Sequence, residues 1–303
     1  MRIGVMSGAS QGAEGELSAL VEQARDLEAR GFHSLWMANI FGLDAITTQA
    51  IIGRETSTIE LGTAVVPTYP RHPFAIAQQV RTAAAASGGR FTLGIGLSHQ
   101  VVIENMMGLS YAKPARHMRE YMAVLGPLLR GEPAAFEGQE YKVNGALEIP
   151  EAGEVPVVIA ALGDLMLRIA GETSEGTILW MTGPATIESH IIPKISAAAS
   201  EAGRAAPRIV AGFPMVLTND TEHAKAYIAK SLAVYGQLPS YRAMLDKEGA
   251  GGAADVALAG DEKVLDAALD RLRDIGVTDF NAAIMPLDPE AETRTLAYLE
   301  SRL

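Results

Sequence analysis

Ile159-Ala-Ala-Leu-Gly-Asp-Leu-Met-Leu-Arg-Ile-Ala170, followed closely by Gly176-Thr-Ile-Leu-Trp-Met-Thr-Gly183, is the stretch on which the fold turns. An apolar run from Val157 to Leu162 stops at Gly163. Asp164 then opens a helical pattern through Leu165, Leu167, Arg168, Ile169 and Ala170, and Gly171 follows it. A second apolar run extends from Thr177 to Met181. Strand, glycine turn, helix and next strand make one beta-alpha-beta unit. The turn leaves backbone N–H groups free beside a residue with no Cβ, a place suited to a phosphate. Plain turn chemistry accounts for the segment equally well.

The same alternation recurs on both sides of this unit. Strand signals stand at Ile3–Met6, Phe32–Met37, Ile59–Val66, Phe91–Ile95, Val155–Leu162, Thr177–Met181, Arg208–Leu217 and Asp279–Met285. After a loop at Gly12 and Gly15, Leu17, Leu20, Val21, Ala24 and Leu27 fall at helical spacing, and Gly31 closes that helix. Further helices are expected over Asp44–Thr56, from Pro73 to the Gly88-Gly89 pair, from about Lys113 to Leu129, and from Pro184 through Ile187, Ile191, Ile195 and Ala198. Others cover Thr221–Tyr235, the segment from Asp261 to near Gly276, and Pro289–Leu303. Gly96–Ser110 reads as an excursion over one end of the fold, and Gly236–Ala259 as a less regular region. A doubly wound sheet of this length would use fewer strands or an added domain. The expected fold is therefore α/β, a single (β/α)8 TIM barrel over residues 1–303, with insertions after strands four and seven.

The 303 residues are 48% hydrophobic, enough for one large core. A formal charge of -11 argues against nucleic acid or an anionic membrane as partner. No cysteine is present, which excludes disulfides, a thiol nucleophile and thiolate metal sites. The scattered histidines and carboxylates lack metal-ligand spacing, so no metal is expected. The first residues run straight into a strand with no leader pattern, and no apolar run is long enough to span a bilayer. A cytoplasmic protein and, on base rates, a homodimer are expected.

In such a barrel, chemistry collects at the C-terminal ends of strands. Here those ends are Met6–Ser7, Ala38–Ile40, Thr63–His72, Gly96–Gln100, Leu162–Asp164, Met181–Gly183 and Phe213–Leu217. Within Thr68-Tyr-Pro-Arg-His-Pro73, prolines restrict Arg71 and His72, which either face a pocket or serve as caps: Arg71 on a carboxylate, His72 on the next helix. His72 is the candidate for proton transfer. Gly94-Ile-Gly96 lets something flat approach the backbone, but it lacks the third glycine and acidic residue of a dinucleotide site. His99 lies on the excursion that follows. Asp164 would repel a phosphate at the Gly163 turn unless it points outward. Trp36 and Trp180 either line a pocket or pack in the core.

Three blocks resemble the bacterial-luciferase-like superfamily, and more closely its branch of coenzyme F420-dependent oxidoreductases. They are Leu61-Gly-Thr-Ala-Val65 with Tyr69-Pro-Arg-His-Pro73, then Arg90-Phe-Thr-Leu-Gly-Ile-Gly96, and Pro156 to Gly163 with Met166 to Glu172 and Glu175-Gly176. The resemblance implies a flavin or deazaflavin ring over the strand ends, a cis Ala64–Val65 peptide behind it, and a phosphate at the Gly163 turn. The implied cofactor-binding residues are Met6, Ala38, Asn39, Thr63, Ala64, Val65, Gly96, Ser98, Ala160, Ala161, Leu162, Gly163, Asp164 and Met181. Where the branch often carries an Asp-His pair, this chain has Asn39 and Ile40, neither of which is an acid or base. His72, Asn39 and His99 are the expected catalytic residues. The implied activity is hydride transfer between C5 of F420 and an activated alkene, imine or carbonyl. The alternatives are an FMN-dependent luciferase-like monooxygenase and a non-catalytic flavin-binding or subunit-interaction barrel.

Overall fold

A computed structural model describes residues 1–7 and 16–303; the expected loop at Gly12 and Gly15 lies outside the described residues. Eight parallel strands close on themselves: β1 (Arg2–Ser7), β2 (Ser34–Met37), β3 (Glu60–Thr63), β4 (Phe91–Gly96), β5 (Val157–Ile159), β6 (Gly176–Trp180), β7 (Arg208–Leu217) and β8 (Asp279–Ile284). Each pairs with its successor, and β8 returns to β1 through Arg2↔Asp279 and Gly4↔Asn281. Helices flank the closed barrel and bury one face against its outer wall. Leu20, Ala24 and Leu27 do so from helix Leu17–Ala29, and Leu265, Leu269 and Leu272 from helix Glu262–Asp274. No helix among the described residues is long and apolar enough to cross a membrane.

Local chemistry starts these helices where the sequence signals it. The Asp44 and Asp261 side chains accept the N–H groups of Thr47 and Val264, as N-caps do. Pro73, Pro114, Pro239 and Pro289 sit in first turns, where the missing N–H costs nothing.

Several elements differ from their expected form, each for a local reason. The third strand is interrupted after Thr63 by a cis Ala64–Val65 peptide, and pairing resumes at Val66–Pro67 beside β4. The helix begun at Pro184 passes through a π turn, Ile187–Ile191, before continuing as Ile192–Glu201. Pro193, having no N–H to give, breaks the regular ladder there. Helix Thr221–Ser231 ends before Tyr235 and gives way to a 3-10 segment, Ala233–Gln237. The region from Gly236 to Ala259 is more ordered than expected. It holds helices Pro239–Glu248 and Ala253–Val256, and Leu258–Gly260 pairs with β7 as an extra strand. Pro239 and the left-handed Gly249 bracket that first helix instead of breaking the chain. The excursion after β4 is partly helical, with a π turn over Val101–Met106. A separate hairpin, Ala134–Glu137 with Lys142–Gly145, precedes β5.

Alternation along the strands sends every second residue inward, and the stagger of a closed eight-stranded barrel stacks these residues in layers of four from alternate strands. At the N-terminal end, Arg208 donates to Glu60 at 2.7 and 3.1 Å and to Asp279 at 2.9 and 2.6 Å. Arg2 borders both carboxylates. Burial would raise both carboxyls, but Arg208, with Arg2 beside it, holds them below their ordinary values. Above this plug lies the inner core of Trp36, Val158, Ile178 and Val210, with the Arg208 guanidinium 5.4 Å from the Trp36 ring centroid. Trp36 shares its layer with Gly94, Ile178 and Asn281. The next layer toward the C-terminal mouth is Met6, Ala64, Ala160 and Gly212, and the rim is Ala38, Gly96, Trp180 and Ala283. Side chains fill the lower barrel, whereas six of these eight mouth residues are no larger than alanine, Met6 and Trp180 being the exceptions.

Candidate active site

The shape of the mouth follows from how β3 and β4 meet. Thr63 is fully buried, and its hydroxyl both donates to the Gly94 carbonyl at 2.8 Å and accepts the Gly94 N–H at 2.9 Å. Thr63 thus pins the two strands together from within the wall. A Cβ at residue 94 would lie 1.8 Å from the Thr63 carbonyl oxygen, and one at residue 96 would lie 2.7 Å from the Val65 side chain. Glycine is required at both positions because the Ala64–Val65 bulge leans into β4. Ala64 and Val65 remain half-buried and face the inner core together with Ala160.

Two residues just beyond strand ends, Ser98 (φ 59) and Met181 (φ 49), adopt the left-handed backbone without being glycine. That costs such residues about 1–2 kcal/mol each. Both follow rim positions, after β4 and after β6, where their backbones turn sharply at the mouth. On the β2 side, Asn39 Oδ1 accepts the Ala45 N–H at 3.0 Å, leaving its amide N–H groups for other partners.

At the end of β5, the Gly163 turn is open, with no atom within 4 Å of where a Cβ would stand. Ala161 N–H donates to Thr177 Oγ1 at 3.3 Å, and buried His190 Nε2 donates to the Leu162 carbonyl at 2.8 Å, so the approach to the turn is fixed from both sides. Asp164 points outward to Lys194, which holds its carboxyl below the ordinary value. The objection that Asp164 would repel an anion is thereby eased.

The histidines occupy distinct settings. His72 is exposed; its Nδ1 accepts the Phe74 N–H at 3.2 Å, and its ring meets Tyr141 edge-on at 5.5 Å. Arg71 pairs with Asp44 at 2.8 Å. Both therefore act as caps, the second of the two roles open to this motif. His99 is half-buried, and burial lowers its pKa, leaving a neutral ring at neutral pH. It lies 5.7 Å from Tyr241, which meets Tyr235 at 5.3 Å, which in turn meets Trp180 at 6.2 Å, all between ring centroids. An aromatic chain thus joins the segment after β4 to the helices after β7 across the rim.

A second aromatic wall was not foreseen. Tyr69 stacks on His117 at 3.9 Å and on Tyr111 at 5.1 Å, and the Tyr111 hydroxyl donates to the Ser98 carbonyl at 3.2 Å. His117 is only 4% exposed; its Nε2 is 2.9 Å from Thr68 Oγ1, and burial drives its pKa down to about 4. Its one sequence signal is a histidine on the inward face of a helix, next to Met118 and one turn before Tyr121.

The mouth is thus a shallow floor made mostly of small residues, with an open glycine turn at one side of an α/β barrel. The chain belongs to the luciferase-like monooxygenase family, which it matches over residues 1–279. It is 30% identical over 216 residues to the 5,10-methylenetetrahydromethanopterin reductase of Methanolobus tindarius, covering 71% of this chain and 66%, just under two thirds, of that one. The solved F420-dependent tetrahydromethanopterin reductase of Methanopyrus kandleri superposes with a TM-score of 0.77 at 22% identity, covering 100% of this chain and 98% of that one. The FMN-bound oxygenating constituent of 3,6-diketocamphane monooxygenase from Pseudomonas putida gives 0.78 at 15% identity, covering 99% and 96%. At these identities the two structures speak for the fold alone.

Proposed function

We propose that the protein is an F420-dependent oxidoreductase acting on a small organic electrophile, an activated alkene, imine or carbonyl. The observation that carries this reading is the floor of Ala38, Ala64, Gly96 and Ala160, which offers a planar ring an approach that larger side chains would block. Kinship with reductases of the tetrahydromethanopterin type, one of them named as F420-dependent, favours deazaflavin over FMN. We read residues 1–303 as one (β/α)8 barrel domain, with the segments after β4 and β7 inserted as the walls that select the substrate.

When bound, the deazaflavin would supply a hydride from C5. The chain's own contribution is orientation and exclusion of water. Met6, Ala38, Thr63, Ala64, Val65, Gly96, Ser98, Ala160 and Met181 would shape the ring's bed, with Thr63 acting from within the wall. Ala161 and Leu162 would line the approach, and the Gly163 turn would present the backbone N–H groups of Asp164 and Leu165 to a phosphate, the Asp164 carboxylate being held aside by Lys194. Asn39 would donate its amide N–H to the ring or substrate. Of the two histidines, His99 is better placed at the rim to move a proton, as a neutral base or through water, while His72 already uses Nδ1 as a cap.

Fluorescence titration of the apo-protein with F420, and separately with FMN, tests the reading. Saturable F420 binding with weak FMN binding supports it. Binding of FMN alone transfers the site to an FMN-dependent monooxygenase, a reading that the FMN-bound structural neighbour keeps open. Binding of neither leaves a barrel without this cofactor chemistry.

A further inference from the structure

We propose that Asn281 reads the ligand from below, its carboxamide hydrogen-bonding, directly or through one water, to a carbonyl or N–H of the ring that the mouth receives. This rests on the ring-binding reading above and adds to it a residue that no sequence motif marks.

Asn281 lies on β8 two residues after Asp279, so its side chain points into the barrel as that of Asp279 does. It is 1% exposed, and neither its Oδ1 nor its Nδ2 has a partner among the described residues. Among the described residues, the polar side chains of the lower barrel do find partners: Trp36 Nε1 donates to Ser34, Thr92 donates to Glu60, and Arg208 donates to both Glu60 and Asp279. A buried amide with no partner is costly, and one lacking partners on both atoms is uncommon in native proteins. Its flanking register positions, Gly4 and Gly212, carry no side chain that could serve it. Asn281 lies one layer below Met6, Ala64, Ala160 and Gly212, beneath the floor of the mouth. An amide offers one acceptor and an N–H2 donor side by side, which suits the adjacent carbonyl and N–H of an imide or lactam, the group carried by both deazaflavin and flavin rings.

Asn281→Leu removes the amide while keeping the branched four-atom skeleton, two methyl groups replacing the carboxamide oxygen and nitrogen. If Asn281 reads the ring, the apo-protein of the variant melts at the wild-type temperature or above it, because an unpaired polar group has been removed. Its F420 affinity meanwhile falls roughly 3–10-fold, and the absorption maximum of bound F420 shifts relative to wild type. Asn281→Ala, which also lacks the amide, is measured in parallel and replaces the leucine variant if that one does not fold. Unchanged affinity and unchanged spectrum in a folded variant overturn the inference. Failure of the wild-type protein to bind F420 or FMN sinks the cofactor reading instead, so the two failures are separable.

Discussion

Replacing Arg208 by methionine isolates the charged plug at the closed end of the barrel. In the native protein one guanidinium serves two carboxylates, Glu60 and Asp279, whose side chains are 15% and 3% exposed. Removing one partner of a buried ion pair costs about 3–5 kcal/mol, because the remaining charge is stranded. Arg2 stays beside both carboxylates, which places the expected loss near the lower bound, and the lost contact with the Trp36 ring adds about 0.5–1 kcal/mol. Arg208→Met should therefore lose about 3–4 kcal/mol in urea denaturation at pH 7, roughly 5 °C in Tm for a chain of this length. The sign with pH is fixed. In wild type, Arg208 keeps both carboxyls below their ordinary values, so the stability they contribute is present at neutral pH and lost as pH falls through the carboxylate range. In the variant, burial acts without Arg208 and raises them, so protonation relieves the penalty sooner. The difference between the two proteins must shrink between pH 7 and about pH 4.5. Adding Glu60→Gln and Asp279→Asn to the variant should restore part of the loss. A deficit below about 1 kcal/mol at pH 7, or one that does not change with pH, refutes the reasoning.

Gly94→Ala drives a Cβ into the Thr63 carbonyl and should cost at least about 3 kcal/mol, whereas Gly96→Ala meets the side chains of Val65 and Ala160 and no backbone atom, and should cost about 1–2 kcal/mol while weakening F420 binding; thermal melts and titration distinguish the two. His117 binds its proton only near pH 4 in the fold but near 6.5 when unfolded, so it favours the native state above about pH 6.5 and loses that advantage as pH falls toward 4. His117→Gln should remove on the order of 3 kcal/mol of that pH dependence, read from denaturation curves across the window. Asp164→Asn removes the negative charge nearest the Gly163 turn and should tighten F420 binding about 2–3-fold at low ionic strength; weaker binding by the variant argues against a phosphate at that turn.

Local pattern made the barrel legible. Short apolar runs separated by helical patterns marked its eight strands, and caps such as Asp44 and Asp261 stand where a carboxylate precedes a helical apolar face. Gly94 and Gly96 were marked as points of close approach, and the cis Ala64–Val65 bond implied by resemblance is present. Irregularity was harder to place. Gly236–Ala259 reads as a less regular region although Pro239 and Gly249 bound a helix within it, because the same residues end one element and begin another. The polar cluster Thr68–His72 was marked, but its side chains divide in a way no local rule assigns. Arg71 and His72 turn to capping, while Tyr69 joins His117 in a stacked wall.

By itself, then, the sequence determined the strands and helices, the faces they bury and the turns that need glycine, since these depend on neighbours within a few residues along the chain. Which side chains meet was decided only by the tertiary structure. Arg208 finds Glu60 148 residues away, Thr68 finds His117 49 residues away, and Asn281, between two glycines, has no partner among the described residues. Barrel closure and strand stagger set those meetings, and neither is written into any single segment.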